Sequence, residues 1–357
     1  MDKIKLIVSD FHIGRGRVLE DRTPNPLEDF FYDEKFAEFL DYHSTGSYLD
    51  SDAELILNGD FLNMLEVDED EVFPEVLTER VAVEKTRKIL DGHPELFGAM
   101  GAFMTPDRHH MAFVVGNHDA GLLWPGVQEL VRRRVSARVR FYDVAYVFDG
   151  IHVEHGQQFE EHRRMDPGAI FVTEGVPEPI LNLPWGAYFV ADFLNQVKKE
   201  RPFLDKIHPF SNYLVWALIF DFRFAVKTIA RMVAFYIRNR FHRSAYRRAK
   251  FVLTSRAVRS ISITASLDAC ARKILESTGC HTVVFGHTHR GLHRRMGPDK
   301  EYLNTGTWND VTTLEIGHLG TSSRRTYVLI DYPQEERPRA HLKVWHGKYR
   351  IEEDAMG

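Results

Sequence analysis

Five short apolar runs in this chain end in the same way. KLIVSDFH (5–12), LILNGD (55–60), FVVGNHD (113–119), HVEHG (152–156) and VVFGHTH (283–289) each carry a β-rich segment into a cluster of Asp, Asn, Gly and His. Apolar runs of this length, bounded by turn residues, read as buried strands. The segments between the first three read as helices. Phe36, Phe39 and Leu40 share one helical face within about 30–43, and the stretch from about 75 to 104 is helical with a break at Gly92 and Pro94. WPGVQELVRRRV opens another helix at a proline, and VRFYDVAYVFDGIHVEHGQ pairs strands through Asp149-Gly150. YLNTGTW, RTYVLIDY and AHLKVWHG read as closing strands. Strands that alternate with helices place the chain in the α/β class, where strand ends line a cleft.

The rhythm fails from about Phe159 to Thr278, where prolines 177, 179 and 184 precede aromatic helical sequence. The expected organisation is a core in two parts, 1–158 and 279–357, separated by a helical insertion or lid at 159–278. At 357 residues the chain is long enough for both, and an apolar fraction of 44% excludes general disorder. The two cysteines, Cys270 and Cys280, lack a CxxC spacing, so they supply neither a disulfide framework nor a zinc knuckle. The N-terminal sequence MDKIKLIVSDFHIG has no long apolar h-region with a cleavage site, so the expected location is cytoplasmic.

The strand-end clusters supply Asp10, His12, Asp60, Asn117, His118, Asp119, His155, His287 and His289. In an extended segment, side chains two apart point to one side, which predicts that Asp10 pairs with His12 and His287 with His289. Carboxylate, amide oxygen and imidazole together suit manganese, iron or zinc and are too rich in nitrogen for a calcium cage. Seven of these residues (Asp10, His12, Asp60, Asn117, His155, His287 and His289) are plausible ligands. That is too many for one tetrahedral zinc, and it suits two metals sharing a carboxylate. A lone Gly-Asp is usually a turn and a lone histidine is usually only hydrogen-bonded. Five such pieces at successive strand ends are hard to obtain by accident.

In this order, D10-x-H12, G59-D60, G116-N117-H118-D119, H155-G156 and G286-H287-x-H289 resemble the motifs of the calcineurin-like metallophosphoesterase superfamily. The resemblance implies a four-layer α-β-β-α sandwich of the metallophosphoesterase type with an inserted helical lid. It implies that Asp10, His12 and His289 hold one divalent ion, that Asn117, His155 and His287 hold a second, and that Asp60 bridges them. Manganese is the expected ion, with iron or zinc as alternatives. It further implies that Asp119 orients His118, which protonates a leaving group or hydrogen-bonds the phosphate. Two such cations lower the pKa of a bound water and neutralise phosphoryl oxygens in an in-line displacement. Asn304 and Thr307 of YLNTGTW fall near the site in many members, although a strand ending in a Gly turn explains the stretch equally well.

The insertion bears on the substrate. Phe222 to Ser260 holds eleven Lys or Arg and no Asp or Glu. Arg223, Lys227, Arg231 and Arg238 recur at helical spacing among Trp216, Phe220, Phe224, Ile229, Phe235 and Ile237. Charges at that density argue against a membrane span and favour a helix lying on an anionic membrane surface. A lid helix with a solvated basic stripe is the alternative, and a nucleic-acid surface ranks below both. Within the superfamily, a helical insertion before the last motif resembles the UDP-2,3-diacylglucosamine pyrophosphatases of lipid A biosynthesis. Their best-known branch is shorter and carries arginine at the position of His118. The implied substrate is phosphorylated and lipid-linked, such as a nucleotide-linked glycolipid, cleaved at the cytoplasmic face of the inner membrane. The alternatives are a soluble phosphatase or phosphodiesterase with a structural lid, and a scaffold of the same fold without catalysis.

Overall fold

The computed structural model describes residues 3–348 and 353–354, apart from 70–71, 75, 203, 209, 243–250, 252–266, 314–319 and 335. Two large sheets face each other. The first has the strand order Glu353–Asp354, Arg339–Trp345, Arg325–Asp331, Lys3–Val8, Asp52–Asn58, His110–Val114, Arg140–Tyr142. The second has the order Gly291–Arg295, Glu301–Thr305, Thr282–Phe285, Ile151–Glu154, Ala145–Phe148. Ile7, Ile56 and Val114 of the first sheet meet Ile151, Val153, Val284 and Leu303 of the second in one buried cluster. The outer face of the first sheet, through Leu6, Leu55 and Phe113, packs on helices 33–42, 79–92, 94–103 and 125–134. Helix 267–277 covers the second sheet, its Cys270, Ala271 and Leu275 lying on Val283, Phe285 and Tyr302. The result is the expected four-layer α-β-β-α sandwich.

Local chemistry explains the boundaries. Pro94 and Pro125 each open a helix, where the missing N–H costs nothing. Asp149 (φ 46°) and Gly150 (φ 77°) take left-handed conformations and close the hairpin between Ala145–Phe148 and Ile151–Glu154. Strand Gly291–Arg295, which was not anticipated, pairs antiparallel with Glu301–Thr305 through the Gly297-Pro298 turn.

The insertion divides differently from the sequence expectation. Helix 267–277, placed there within the lid, is a layer of the sandwich, because its apolar face is complementary to the second sheet. Residues Trp185–Lys198 form a continuous helical run with a π-helical centre. The long basic helix is two, Phe210–Phe220 and Phe222–Arg240, broken at Asp221, whose carboxylate pairs with Arg201. Phe193, Val197, Leu204, Phe224 and Phe235 give these lid helices a small core of their own. The basic residues at 243, 247, 248, 250, 256 and 259 lie outside the described residues.

Trp308 ties the closing strands to the first motif. Fully buried, it stacks on Phe11 at 5.1 Å, meets Phe36 and Phe39 edge-on, and donates from Nε1 to Thr326 O. Trp308→Ala is expected to cost about 3–5 kcal/mol in denaturant unfolding, as for other buried aromatic truncations, and Trp308→Phe distinctly less.

Candidate metal centre

Strands Lys3–Val8, Asp52–Asn58 and His110–Val114 run parallel, as do Ile151–Glu154 and Thr282–Phe285. Asp10, Asp60, Asn117, His155 and His287 each follow the end of one of them, so the five motifs meet at one edge of the sandwich.

The backbone there is not extended. Asp10 (φ 56°), His12 (50°), Asp60 (50°), His287 (71°) and His289 (59°) are left-handed, a conformation that costs a non-glycine residue about 1–3 kcal/mol and clusters at functional sites. The strands stop at Val8 and Phe285, so these tight turns, not strand alternation, aim the side chains. Two glycines make the approach possible. A Cβ on Gly59 (φ +80°) would lie 2.4 Å from His155 Cγ, and one on Gly116 would lie 2.3 Å from Asp60 Oδ1. Gly286 has no positive φ; it matters because a Cβ there would meet Ser9 Oγ at 2.5 Å.

Three overlapping groups result: Asp10, His12 and His289; His12, Asp60 and His118; Asp60, His155 and His287. In the first, His289 Nε2 is 3.3 Å from Asp10 Oδ1 and 3.1 Å from His12 Nε2. In the third, His155 Nε2 is 3.1 Å from Asp60 Oδ2 and 3.3 Å from His287 Nδ1. Asp60 Oδ2 is also 3.9 Å from His12 Nε2, so this carboxylate stands between the groups. Burial raises the Asp10 carboxyl, but His155 and His289 outweigh it and bring it to about 2. Asp60 is likewise held well below the usual carboxylate range, burial being outweighed by His155 and His118. Against its burial, His155 is pushed up to about 10 by Asp60 and Asp10. Its other nitrogen, Nδ1, is fixed by Asn58 O at 2.8 Å.

The fit to a metal is visible in an oxygen that otherwise has no hydrogen-bond partner. Asn117 Oδ1 is buried without a hydrogen bond, a costly state for an oxygen unless a cation takes it. Two carboxylates, an amide oxygen and four imidazoles form a donor set for first-row divalent ions.

His118 differs from the expectation. Asp119 does not reach it, because the Asp119 carboxylate accepts from Gly116 N at 2.7 Å and Phe61 N at 2.9 Å and so staples the third motif to the second. Burial, together with the charge of Asp60, pushes Asp119 up to about 7. Asn63 is the partner of His118, with Oδ1 2.9 Å from Nδ1. Burial lowers His118 to about 4, even with Asp60 nearby, so its imidazole is neutral at physiological pH. With Nδ1–H donating to Asn63 Oδ1, the neutral ring leaves Nε2 as an acceptor, so a hydrogen bond to a phosphate oxygen requires the protonated ring.

Other residues carried no strand-end signal. Glu160 Oε2 lies 3.1 Å from His287 Nε2, with Arg163 Nη1 3.2 Å from the same nitrogen. Ser9 bonds the Asp10 carboxylate. Asn304 Nδ2 donates to Gly286 O and Thr307 Oγ1 to Asp10 O, each at 2.6 Å, so YLNTGTW holds two motif loops in place. A cavity of about 480 Å³ opens on the cluster at His12, Asp60, Asn117 and His287, and the lid supplies an apolar wall of Trp185, Ala187, Phe189, Val190 and Leu194.

No protein-family model matches the chain, and no curated protein matches it significantly. Among solved structures it is similar to a conserved protein from Streptococcus pneumoniae TIGR4 described as a predicted phosphoesterase, at 10% identity, with 99% of this chain and 97% of that chain covered and a TM-score of 0.32. It is also similar to a dimetal phosphatase from Danio rerio, at 9% identity, 98% of both chains and a TM-score of 0.40. A putative 5'-nucleotidase from Staphylococcus aureus is 12% identical over 98% of this chain and 56% of that one, with a TM-score of 0.36. At such values the chemistry has to be argued from the side chains.

Gly116→Ala is expected to displace Asp60 Oδ1 and to weaken manganese binding at least about tenfold, the scale at which ligand-supporting residues act. Titration calorimetry checks this; unchanged affinity would show that the cradle does not serve a metal.

Proposed function

We propose that the chain is a metal-dependent phosphoric ester or pyrophosphate hydrolase of the metallophosphoesterase type, acting on a lipid-linked substrate. In this reading Asp10, His12 and His289 hold one divalent ion, Asn117, His155 and His287 a second, and Asp60 is shared, with manganese favoured over iron or zinc. Such ions supply Lewis-acid stabilisation of phosphoryl oxygens and an activated water. The chain's own residues do the rest: the turns at Asp10, Asp60 and His287 preset the donors, Asn63 Oδ1 accepts from Nδ1 and fixes the His118 ring, and His118, protonated beside a bound phosphate dianion, donates to it from Nε2. The buried Asn117 Oδ1, without a hydrogen-bond partner, favours this over a scaffold without catalysis.

The observation that carries the substrate reading is the cavity itself. Its apolar wall of Trp185, Phe189 and Leu194 is continuous with the histidine cluster, which suits hydrocarbon beside a phosphate. UDP-2,3-diacylglucosamine is such a substrate. UMP release from it in manganese is expected to exceed, by at least about a hundredfold in kcat/KM, hydrolysis of aryl phosphates or phosphopeptides, a difference of about 2.7 kcal/mol in transition-state binding. Equal rates on simple aryl phosphates would favour a soluble phosphatase with a structural lid.

Attachment to a membrane surface belongs to the same reading, in altered form. Lys227 and Arg231 pair with Glu200, and Arg238 pairs with Asp192, so most of the basic stripe is tied to acids of the lid. The opposite character is exposed: Ile219, Phe220, Phe222, Val233, Ile237 and Phe241 all face solvent, Phe220 with 76% of its surface. Among the described residues no helix is long and apolar enough to cross a membrane. An apolar face of this size, with Arg223 and Arg240 beside it, suits the interface of an anionic bilayer. Co-sedimentation with anionic phospholipid vesicles is expected, and the double substitution Phe220→Ser, Phe222→Ser should weaken it at least about tenfold. Binding unchanged by that substitution would contradict docking through this face.

A further inference from the structure

The two nitrogens of the His287 ring face different surroundings. Nδ1 lies 3.3 Å from His155 Nε2, in the group that includes Asp60, so this nitrogen meets the candidate metal position. Nε2 meets the first residues of the lid segment, with Glu160 Oε2 at 3.1 Å and Arg163 Nη1 at 3.2 Å. These two neighbours ask for opposite tautomers. A carboxylate only accepts, so it favours a proton on Nε2 and leaves Nδ1 free to bind a cation. A guanidinium only donates, so it favours a bare Nε2 and moves the proton to Nδ1, which closes the metal side.

Local structure decides between them. Glu160 is set by the short helical turn Gln157–Phe159, which begins at the left-handed Gly156 (φ 113°) directly after His155. Phe159 packs on Phe285, two residues before His287, with ring centroids 5.4 Å apart. Glu160 N donates to Gln157 O, and Glu160 O accepts from the backbone N–H groups of Arg163 and Arg164. The Glu160 side chain is thus anchored and mostly buried, whereas that of Arg163 is 42% exposed. Arg163 Nε also lies 3.4 Å from Glu160 Oε2, and His162 Nε2 lies 3.6 Å from it, so the guanidinium has a carboxylate of its own to pair with. An anchored anionic acceptor loses less freedom on bonding than an exposed arginine, and it makes the stronger, charge-assisted bond to the ring N–H.

We infer that Glu160 is a positioning residue for the second metal site: it accepts the Nε2 proton of His287 and so keeps Nδ1 open toward Asp60 and His155. The inference rests on the reading above for the metal, but its first test needs none. In long-range proton–nitrogen NMR spectra of the metal-free protein, His287, assigned by the signals lost in His287→Gln, should carry its proton on Nε2. In Glu160→Ala, with Arg163 left as the neighbour, the proton should move to Nδ1 in most molecules. Titration calorimetry with manganese supplies the second test. Glu160→Ala should weaken one of two affinities about 10–100-fold, the range for partners of ligating histidines, and leave the other within about threefold. Glu160→Gln, which keeps an acceptor oxygen, should stay within about threefold of the unmodified chain at both. A proton on Nδ1 in the unmodified protein, or affinities unchanged in Glu160→Ala, would overturn the inference. An equal loss in Glu160→Gln would assign the effect to charge alone and overturn it as well. The spectrum of the unmodified protein decides by itself if Glu160→Ala does not fold. An Nε2 proton in a chain that binds no manganese would sink the metal reading and leave the tautomer assignment standing.

Discussion

Two ionised carboxylates, Asp10 and Asp60, lie almost wholly out of water at the edge where the two sheets meet. Burying them demands positive charge within a few ångströms. The demand shows in the imidazoles gathered around them, in the elevated His155, and in five candidate ligand positions held in a backbone conformation that side chains disfavour. The fold serves this constraint. Parallel strands deliver the motifs to one edge, Gly59 and Gly116 let neighbouring donors approach, and Asp119, Asn304 and Thr307 spend their hydrogen bonds on loop backbone.

The sandwich was legible because its strands are short, apolar and bounded by turn residues, and its helices begin at prolines or cluster their apolar residues on one face. The gathering of these His and Asp residues at one edge was legible for a related reason: at strand ends they have no packing role to explain them. What sequence could not convey was local geometry. Strand alternation predicts that His287 and His289 point the same way, yet both are left-handed and face different partners, His155 and Asp10. The pairing of His118 with Asn63 spans 55 residues and leaves no mark on either motif. Helix 267–277 was misassigned to the lid because a buried helix face looks the same whichever sheet it covers.

The lid shows the same limit in its electrostatics. Lys227, Arg231 and Arg238 read as a free basic stripe because their partners, Asp192 in the earlier helical run and Glu200 in the turn that follows it, approach only on folding. With those charges matched, the apolar surface of helices 210–220 and 222–240 becomes the dominant exposed feature, and Trp185 and Phe189 turn inward to wall the cavity. One set of helices thus presents hydrocarbon-compatible surface both outside and inside.

The central claim is that the strand-end donors hold two divalent ions that share Asp60. Anomalous diffraction from crystals grown with manganese tests it directly. Two peaks about 3.5–4 Å apart, one beside Asp10, His12 and His289 and the other beside Asn117, His155 and His287, are the expected result. A single peak, or none at this edge with manganese in excess, would contradict the account.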